Sequence, residues 1–437
     1  MNSKVKLSQI LRLVIPTIFM MSFMSLYTII DGSFISTFVG TDALSGLNIA
    51  YPYVNFILGI SIMLGSGGCA LVMKRIGEGK NDEAKKDFSL LIYFALIFSV
   101  VIMILSLIFM DWILNLLRAE GSLYGYARTY LFYCIVFVTP TMLKFIVEQF
   151  LVAINRAKIA LFLSVTGGIL NIFLDYLFIV VFNFGIKGAA IATGIGYAVP
   201  AIIGLSFFIK DTNLLYLRKP SKDFKVVLQS CYNGSSEMVS QLSSGIITFL
   251  FNVVMLKYIG EDGVAAITII LYIQFLVTSV FLGYSIGVAP KISFYYGNED
   301  TDMLKNFISI SLKIIWSISV MIYIVIFILS PFLVQFFTTK DSNVFNLAIN
   351  GLKIYSISFL IVGTNIFISA MFTAFSNGRV SAIISFLKTL IFESLGILIF
   401  PLFLDVKGIW FAVPFAQMLG VLVCLYYYKK YKNIYKY

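Results

Sequence analysis

The sequence predicts an all-α integral membrane protein of about twelve transmembrane helices, in two six-helix lobes that are parallel repeats around a central cleft. Of its 437 residues, 60% are hydrophobic and only 12% are charged, and the mean hydropathy is +0.96. Apolar stretches long enough to cross a bilayer, which takes about 20 residues, recur along the chain. The two halves of the sequence also resemble each other at a constant offset of 220 residues.

Each predicted helix is an apolar stretch bounded by a short polar break. The first stretch carries Asp31 and is not followed by a small-residue cleavage pattern, so we interpret it as the first helix and not as a cleaved signal peptide. In chain order, the predicted spans are residues 10–34, 45–73, 88–110, 128–152, 159–182, 188–209, 226–256, 264–290, 306–332, 346–374, 380–404 and 408–428.

The internal repeat predicts the domain organisation. Residues 39–86 resemble residues 259–306, and "IKGAAIA" at 186–192 resembles "VKGIWFA" at 406–412. Because each half contains an even number of helices, the two halves must have the same orientation in the membrane, as parallel repeats do. The predicted units are an N-lobe (helices 1–6, residues 1–209), a cytoplasmic linker loop (210–225) and a C-lobe (helices 7–12, residues 226–437) with a short basic tail.

The distribution of basic residues predicts the orientation. The net charge is +11, and 22 of the 32 Lys and Arg residues fall on the side of the two termini, against five in the loops of the other side. This asymmetry follows the positive-inside rule and places both termini in the cytoplasm of a multi-pass plasma-membrane protein. Because the loops account for the positive charge, we expect the lipid bilayer as a partner and no nucleic acid.

Several kinds of active site are disfavoured by composition. The chain contains no histidine, which removes imidazole from any proton relay or metal site. The four cysteines lie in or at the ends of apolar stretches without metal-ligand spacing, so we expect small core residues and no disulfide. A membrane-embedded enzyme would need converging catalytic groups near one interface. We therefore expect no enzyme and no cofactor, and carboxylates must carry any proton chemistry.

The strongest candidate site is an acidic set in the first half. A charge at the centre of a spanning helix costs on the order of 3 kcal/mol, so such residues usually face a cavity or a partner. Asp31 lies late in helix one, while Asn171 and Asp175 lie on one face of helix five at i and i+4. Under the 220-residue shift, these three positions correspond to apolar residues in the second half, which are Phe251, Ile391 and Leu395. The acidic set therefore belongs to one half only, and coupling of transport to an ion needs only one ion site. Asn171 has the alternative role of an interhelical hydrogen bond.

Two lysines accompany glutamates inside predicted helices. Lys144 and Glu148 are spaced at i and i+4 and could neutralise each other, although Glu148 could also meet a cationic substrate. Lys388 precedes Glu393 by five positions, which is too far round a helix for an ideal pair. The partner of Glu393 is therefore left open.

Helices one and seven contain the remaining candidates. Helix seven begins with the hydroxyl-rich "NGSSEMVSQLSSG", and its polar residues Glu237, Gln241 and Asn252 are candidates for the substrate cavity. Pro16 shares helix one with Asp31, and proline kinks a helix or frees a carbonyl. We hypothesise that Pro16 is a hinge whose preferred bend changes when a carboxylate is protonated or metallated.

Taken in order, several motifs resemble the multidrug and toxic compound extrusion (MATE) family over essentially the whole chain. They are "IPTIFMMSFMSLYTIIDGSFIS", "GILNIFLDYLFI", "GIKGAAIATGIGY" and the paired "VG" and "GVAPKISFYYG" features around helices two and eight. The resemblance implies an antiporter that expels organic cations by alternating access while sodium ions or protons enter.

The same resemblance implies roles for particular residues. The N-lobe cation site of the family carries over to Asp31, Asn171 and Asp175, which would be the sodium ligands of a sodium-coupled member. Glu237 matches a helix-seven carboxylate of the C-lobe, whereas an acidic position in helix ten of some members finds only "MFTAFSNGR" here. The coupling ion, sodium or proton, stays open because carboxylate and amide oxygens serve either.

The predicted function is therefore a secondary active multidrug efflux antiporter, expected to be a monomer. One alternative is a flippase or exporter of a lipid-linked or metabolite substrate, which would need cationic side chains in its cavity to hold pyrophosphate. About twelve spans are too few for the fourteen-helix type of flippase. The lysines available inside the spans are Lys144, Lys313, Lys353 and Lys388.

Overall fold

The computed structural model describes residues 6–210 and 214–437, and every regular element in that part of the chain is helical. The prediction of an all-α fold is confirmed. Lys4, counted among the basic residues above, and residues 211–213 of the predicted linker lie outside the described residues.

Eleven described helices are long and apolar enough to cross a membrane, and a helix pair bent by 55° supplies a twelfth span. We number the spans α1 to α12, with the bent pair as α4. They are α1 Leu7–Val39, α2 Thr41–Gly77, α3 Asn81–Ile108, α4 Leu123–Val136 with Val138–Ala153, α5 Ala157–Val181, α6 Ile186–Ser206, α7 Lys225–Tyr258, α8 Glu261–Gly297, α9 Thr301–Gln335, α10 Asn343–Ala374, α11 Gly378–Ile399 and α12 Pro401–Tyr435.

The predicted spans each match one of these helices, but α2 and α8 are longer than predicted. Each has 37 residues, or about 55 Å of helix. Hydropathy detects only the part of a helix that lipid surrounds, whereas helical hydrogen bonding continues through polar residues such as Lys74 and Arg75. The predicted break between the last two spans lies at Asp405, whose φ of 47° interrupts the helical backbone within Pro401–Tyr435.

The buried apolar side chains form two cores. The first is built from residues of α1 to α6, and the second mainly from residues of α7 to α12. Ile10 and Val14 near the start of α1 belong to the second core, while Val226 and Val227 at the start of α7 belong to the first. The first helix of each half thus crosses into the other half. The lobe boundary at residues 210–225 stays a prediction.

The two halves meet where α1 packs on α8 and where α2 packs on both α7 and α8. Glycines make the closest of these contacts, and they follow the repeat. A Cβ on Gly77 would collide with the Phe294 carbonyl oxygen, and a Cβ on Gly297 would collide with the Lys74 carbonyl oxygen. Since 77 + 220 = 297 and 74 + 220 = 294, the two contacts are equivalent under the repeat. The interface is therefore pseudo-symmetric.

A second close approach lies further along α2 and α7. A Cβ on Gly67 would collide with the carbonyl oxygen of Ser230, and one on Gly234 would collide with that of Met63. We call Gly67, Gly77, Gly234 and Gly297 the glycine seam. Absence of a side chain at these four positions lets the backbones of the two halves approach without a gap, as small residues do between membrane helices.

The halves part on the side away from the glycine seam. A Cβ on Gly245 would meet only Asn55 Nδ2, at 3.9 Å, and one on Gly32 would meet no atom within 4 Å. The chain termini lie on the same side as the seam, since α1 starts there and α12 ends there. We interpret this difference in packing as a cleft that is closed at the terminal side and open at the opposite side.

The described part of the linker is bound to the start of α3. Arg218 Nη1 donates to Asp82 Oδ1 at 2.9 Å, and the Arg218 backbone N–H donates to Ser89 Oγ at 2.9 Å. The Ser221 backbone N–H donates to the Lys86 carbonyl oxygen at 3.1 Å. This segment of the linker is thereby held against the first half of the molecule.

Candidate functional site

Two carboxylates of the first half meet at positions where an α-helix changes into a π-helix. Asp31 lies in the last turn of the α-helical part of α1, before the π-helical segment Ile35–Val39. Asp175 is the last α-helical residue of α5, before the π-helical segment Tyr176–Val181. Such single π-turns are frequent at functional sites because they re-aim the side chains beside them. The two carboxyl groups lie within hydrogen-bonding range of each other.

No described side chain neutralises this pair. Asp175 is 0% exposed, and Asp31 is partly exposed with its Oδ1 atom buried. Neither oxygen of Asp175, nor Oδ1 of Asp31, accepts a hydrogen bond from a described donor. None of the ion pairs within 4.0 Å in the described part of the chain includes them. Two buried like charges in contact are unfavourable unless a proton or a cation lies between them.

Asn171 adds an oxygen to the same place. It is 2% exposed and lies one turn before Asp175 on the same face of α5. Its Nδ2 donates to Thr193 Oγ1 of α6 at 3.4 Å, which leaves Oδ1 without a described donor. The amide is thus anchored through its nitrogen while its oxygen stays free to bind a cation. The structure brings together all three residues that the sequence proposed for this site.

Sequence reasoning missed three residues around the carboxylates. Tyr27 lies one turn before Asp31 on α1, is 5% exposed and has its hydroxyl close to that of Tyr197 of α6. Thr193 holds Asn171. The i−4 relation of Tyr27 to Asp31 is visible in the sequence, but the two α6 residues carry no signal there, since uncharged polar residues are common in membrane helices.

The donor set fits a hard monovalent cation or a proton. Two carboxylates and one amide oxygen are oxygen ligands, which hard cations prefer. No group of three or more Cys, Asp or Glu side chains that could hold a metal ion occurs within residues 6–210 and 214–437. The arrangement offers no sulfur or imidazole ligand that would favour a transition metal.

Lys144 and Glu148 form an ion pair inside the first half. Lys144 Nζ lies 3.3 Å from Glu148 Oε2, and the two residues are 1% and 5% exposed. The ammonium also lies 4.3 Å from the ring centroid of Phe145 and 5.2 Å from that of Tyr197. The predicted mutual neutralisation is therefore present in the structure. A role for Glu148 in substrate binding stays a prediction.

We expect Lys144→Met to lower the melting temperature strongly, because it leaves the Glu148 carboxylate buried without a counter-charge. Breaking a buried pair by removing one partner costs about 3–5 kcal/mol, whereas replacing both partners is often close to neutral. The Lys144→Met, Glu148→Gln double variant should therefore recover most of the loss in a thermal unfolding assay. Lys80→Met provides the control, since its partner Glu78 forms an exposed pair at 2.9 Å. Equal losses in the single and double variants would contradict the pairing.

The other cavity candidates lie on α7. Glu237, Gln241 and Asn252 are partly exposed, and Asn252 Oδ1 has no described donor. Gln241 faces α2, because a Cβ on Gly59 would lie 3.5 Å from its Cβ atom. No hydrogen bond or ion pair between described residues joins them to Glu148. The structure therefore shows no polar contact between Glu148 and the three α7 residues.

Pro16 lies inside α1, which continues through it as one helix, and it is buried. Its neighbour Thr17 faces α8, where a Cβ on Gly287 would lie 2.6 Å from Thr17 Oγ1. Pro16 is thus placed next to the contact between the two halves, in the helix that ends at Asp31. Its role as a hinge stays a prediction.

Comparison with known proteins gives concordant matches. The chain matches the family model MatE over residues 16–177 and 238–397. The multidrug export protein MepA of Staphylococcus saprophyticus is 23% identical over 389 residues, which cover 88% of this chain and 84% of that protein. MepA of Staphylococcus aureus is 24% identical over 365 residues, covering 83% and 80%.

Two solved structures, each 25% identical, align over 98% of this chain and 96% of theirs. One is a multidrug resistance MATE family transporter of the MOP superfamily in an outward-facing conformation, with a TM-score of 0.92. The other is a MOP superfamily transporter from Pyrococcus furiosus, described as having a binding pocket of reverse polarity that suggests a different function, with a TM-score of 0.90.

Proposed function

This chain belongs to the MatE family, and from that premise we propose that it is a secondary active multidrug efflux antiporter that exchanges organic cations for sodium ions or protons. It is a multi-pass membrane transporter and not an enzyme. The names of the MepA relatives support multidrug export. The proposal adds the charge of the substrate, the coupling ion and the mechanism.

The observation that carries the proposal is the contact between Asp31 and Asp175. These carboxylates approach each other without a described cationic neighbour, so the site favours uptake of a positive charge from solution. Asn171 Oδ1 supplies a further ligand oxygen if the charge is a sodium ion. An ion that binds one conformation better shifts the equilibrium towards it by its differential affinity. Ion and substrate are coupled when they favour opposite conformations.

The geometry of the cleft supports alternating access. The glycine seam closes the molecule on the side of the termini, and the halves part on the opposite side. With both termini in the cytoplasm of a plasma membrane, as the 22 to 5 distribution of basic residues favours, this conformation is outward-open. Asp31 is partly exposed and lies beyond the seam, so an ion from outside can reach it. Pro16 is the proposed flexible point of α1.

A membrane potential supplies useful driving force when the exchange moves net charge. Moving one net charge through 100 mV is worth about 2.3 kcal/mol, which corresponds to roughly fiftyfold accumulation. An ion gradient adds to this figure. Exchange of one monovalent ion for one monovalent cation moves no net charge and is driven by the ion gradient alone, so the membrane potential contributes only when more than one ion enters per substrate.

The proposal is tested by reconstituting the protein in liposomes and following ethidium while a sodium gradient or a pH gradient is imposed separately. We expect one of the gradients to drive ethidium movement in the wild type and in Asp341→Asn, an exposed carboxylate in a turn that serves as the control. If neither gradient moves ethidium or several other organic cations, the cation-antiport proposal is wrong. A lipid-linked or metabolite substrate would then be the candidate.

A further inference from the structure

The second half contains a buried polar cluster that the proposed exchange does not use. Asn365 of α10 donates through Nδ2 to Gln417 Oε1 of α12 at 2.8 Å and to the Gln417 carbonyl oxygen at 2.9 Å. Gln417 Nε2 in turn donates to Glu393 Oε1 of α11 at 2.9 Å. The three residues are 0%, 2% and 4% exposed. This chain of hydrogen bonds identifies the partner of Glu393 that the sequence left open.

Asn365 has a free ligand atom in this cluster. Its Oδ1 is buried and accepts no hydrogen bond from a described donor. An unpaired amide oxygen in a buried site costs free energy unless a polar atom or an ion faces it. Asn365 Oδ1 belongs to the same side chain whose Nδ2 is held by Gln417, so these hydrogen bonds fix the position of the oxygen.

Lys388 places a positive charge beside this cluster. It lies in the π-helical segment Phe386–Phe392, directly before Glu393. A Cβ on Gly420 of α12 would lie 3.0 Å from both Lys388 Cγ and Asn365 Nδ2, so the lysine stem passes over Gly420 next to Asn365. The missing side chain of Gly420 thus makes room for the lysine.

The ammonium acts on two carboxylates of different helices. Lys388 lies in the π-helical segment that ends next to Glu393 and packs against α7, the helix of Glu237. Its positive charge acts on both carboxylates. The other titratable groups that interact with the cluster are Cys424, which faces Lys388, and Tyr355, which faces Glu393. In the described part of the chain, no carboxylate lies within 4.0 Å of Lys388 Nζ. Lys388 therefore forms no close ion pair with either carboxylate.

The cluster lies on α11 and α12, which correspond to α5 and α6 of the ion site under the repeat. Subtracting the repeat offset, 393 − 220 = 173, the position of the exposed Phe173 between Asn171 and Asp175, so the two sites correspond in helix and not in exact position. In the same way, 417 − 220 = 197, the position of Tyr197 beside the ion site. Both sites also adjoin a π-helical segment, Tyr176–Val181 in α5 and Phe386–Phe392 in α11. The difference is that the π-helical segment Phe386–Phe392 contains a lysine, whereas Tyr176–Val181 contains none.

We propose that Lys388 is a tethered counter-ion for Glu237 and Glu393, a cation built into the second half in place of one taken from solution. This inference rests on the proposed function, since it explains why exchange would use the Asp31–Asp175 site alone. Removing the ammonium should leave a buried carboxylate next to the free Asn365 Oδ1, the ligand set of a monovalent cation or proton site. The variant would then carry a second ion site.

The test is the thermal stability of the purified full chain, with sodium chloride against choline chloride at constant ionic strength, and at pH 8 against pH 5.5. Asp175→Asn should remove the stabilisation by the ion that the wild type binds. Adding Lys388→Gln to Asp175→Asn should restore an ion-dependent rise in melting temperature of several °C, as expected for a site near saturation. Adding Glu393→Gln as a third change should abolish that rise again. Lys388→Arg, which keeps the charge, and Lys313→Met, at an exposed position, should not create the response.

The outcomes separate this inference from the proposed function. Restored stabilisation that depends on Glu393 supports the tethered counter-ion. A folded Asp175→Asn, Lys388→Gln variant without ion response, or a response that survives Glu393→Gln, overturns it. Full ion response in Asp175→Asn alone would instead refute the first-half ion site. If the double variant does not fold, ion-to-substrate stoichiometry of Lys388→Gln in liposomes decides, since the inference requires one additional ion per substrate and an unchanged ratio overturns it.

Discussion

Replacing both Asp31 and Asp175 with asparagine is expected to abolish gradient-driven transport, down to the rate of protein-free liposomes. An ion with equal affinity for two conformations does not shift the equilibrium between them. Without the two carboxylates, no described acidic group remains at this site to give the ion a different affinity for each conformation. The same double variant should melt at a higher temperature than the wild type at high pH in sodium-free buffer, because it removes a like-charge contact. Stability and transport should therefore change in opposite directions.

The two readouts together make the expectation specific. A variant that is merely misfolded would lose both transport and stability, and one with an intact coupling site would lose neither. Added sodium, or protons at lower pH, should raise the melting temperature of the wild type and of Asp341→Asn and leave that of the double variant unchanged. Gradient-driven ethidium movement in the folded double variant would eliminate the coupling role of both carboxylates.

Replacing a glycine of the glycine seam with a larger residue should reduce transport nearly as much as the double aspartate substitution does, for a different reason. A valine at Gly67 would collide with the Ser230 carbonyl oxygen, and one at Gly297 with that of Lys74, so the terminal side of the cleft could not close as it does here. Overpacking of this kind costs about 1–3 kcal/mol, which at the upper end shifts a conformational equilibrium more than a hundredfold. We expect this conformation to be lost and transport to fall at least tenfold.

Native cysteines provide the measurement for this prediction. Cys69 is 4% exposed and lies two residues from Gly67, so maleimide labelling of Cys69 should rise when the seam is forced open. Gly125→Val is the matched control, because a Cβ at that helical glycine would meet no atom within 4 Å. Unchanged Cys69 labelling in a folded Gly67→Val variant would show that the seam tolerates a side chain and does not control access.

The fold was predictable because hydropathy and the repeat are both properties of the sequence. The end positions of α2 and α8 were not, since the polar turns beyond the bilayer have no hydropathy signal. Equally hidden was the crossing of α1 and α7 into opposite cores, because pairing between helices depends on the shape of their surfaces and not on the pattern of one helix.

Some residues of the candidate site could likewise be predicted from the sequence, and others could not. Asp31, Asn171 and Asp175 stand out in the sequence because charged and amide groups are expensive in lipid. Thr193 and Tyr197 come from α6 and are recognised only by their contacts with Asn171 and Tyr27. The Gln417 partner of Glu393 is likewise 24 residues distant in the chain, so no local spacing could reveal it.

The crossing of α1 into the second core has a consequence for biosynthesis. Val14 lies beside the place where a Cβ on Gly287 would stand, so these two positions, 287 − 14 = 273 residues apart, become neighbours only after α8 has been inserted. Helix α1, which leaves the ribosome before α8, must therefore wait in the bilayer, with the face that will contact α8 turned to lipid, until α8 has been made. Contacts of such long sequence separation form slowly. Truncated or stalled chains that end before α8 should consequently be recognised by membrane quality control as incomplete.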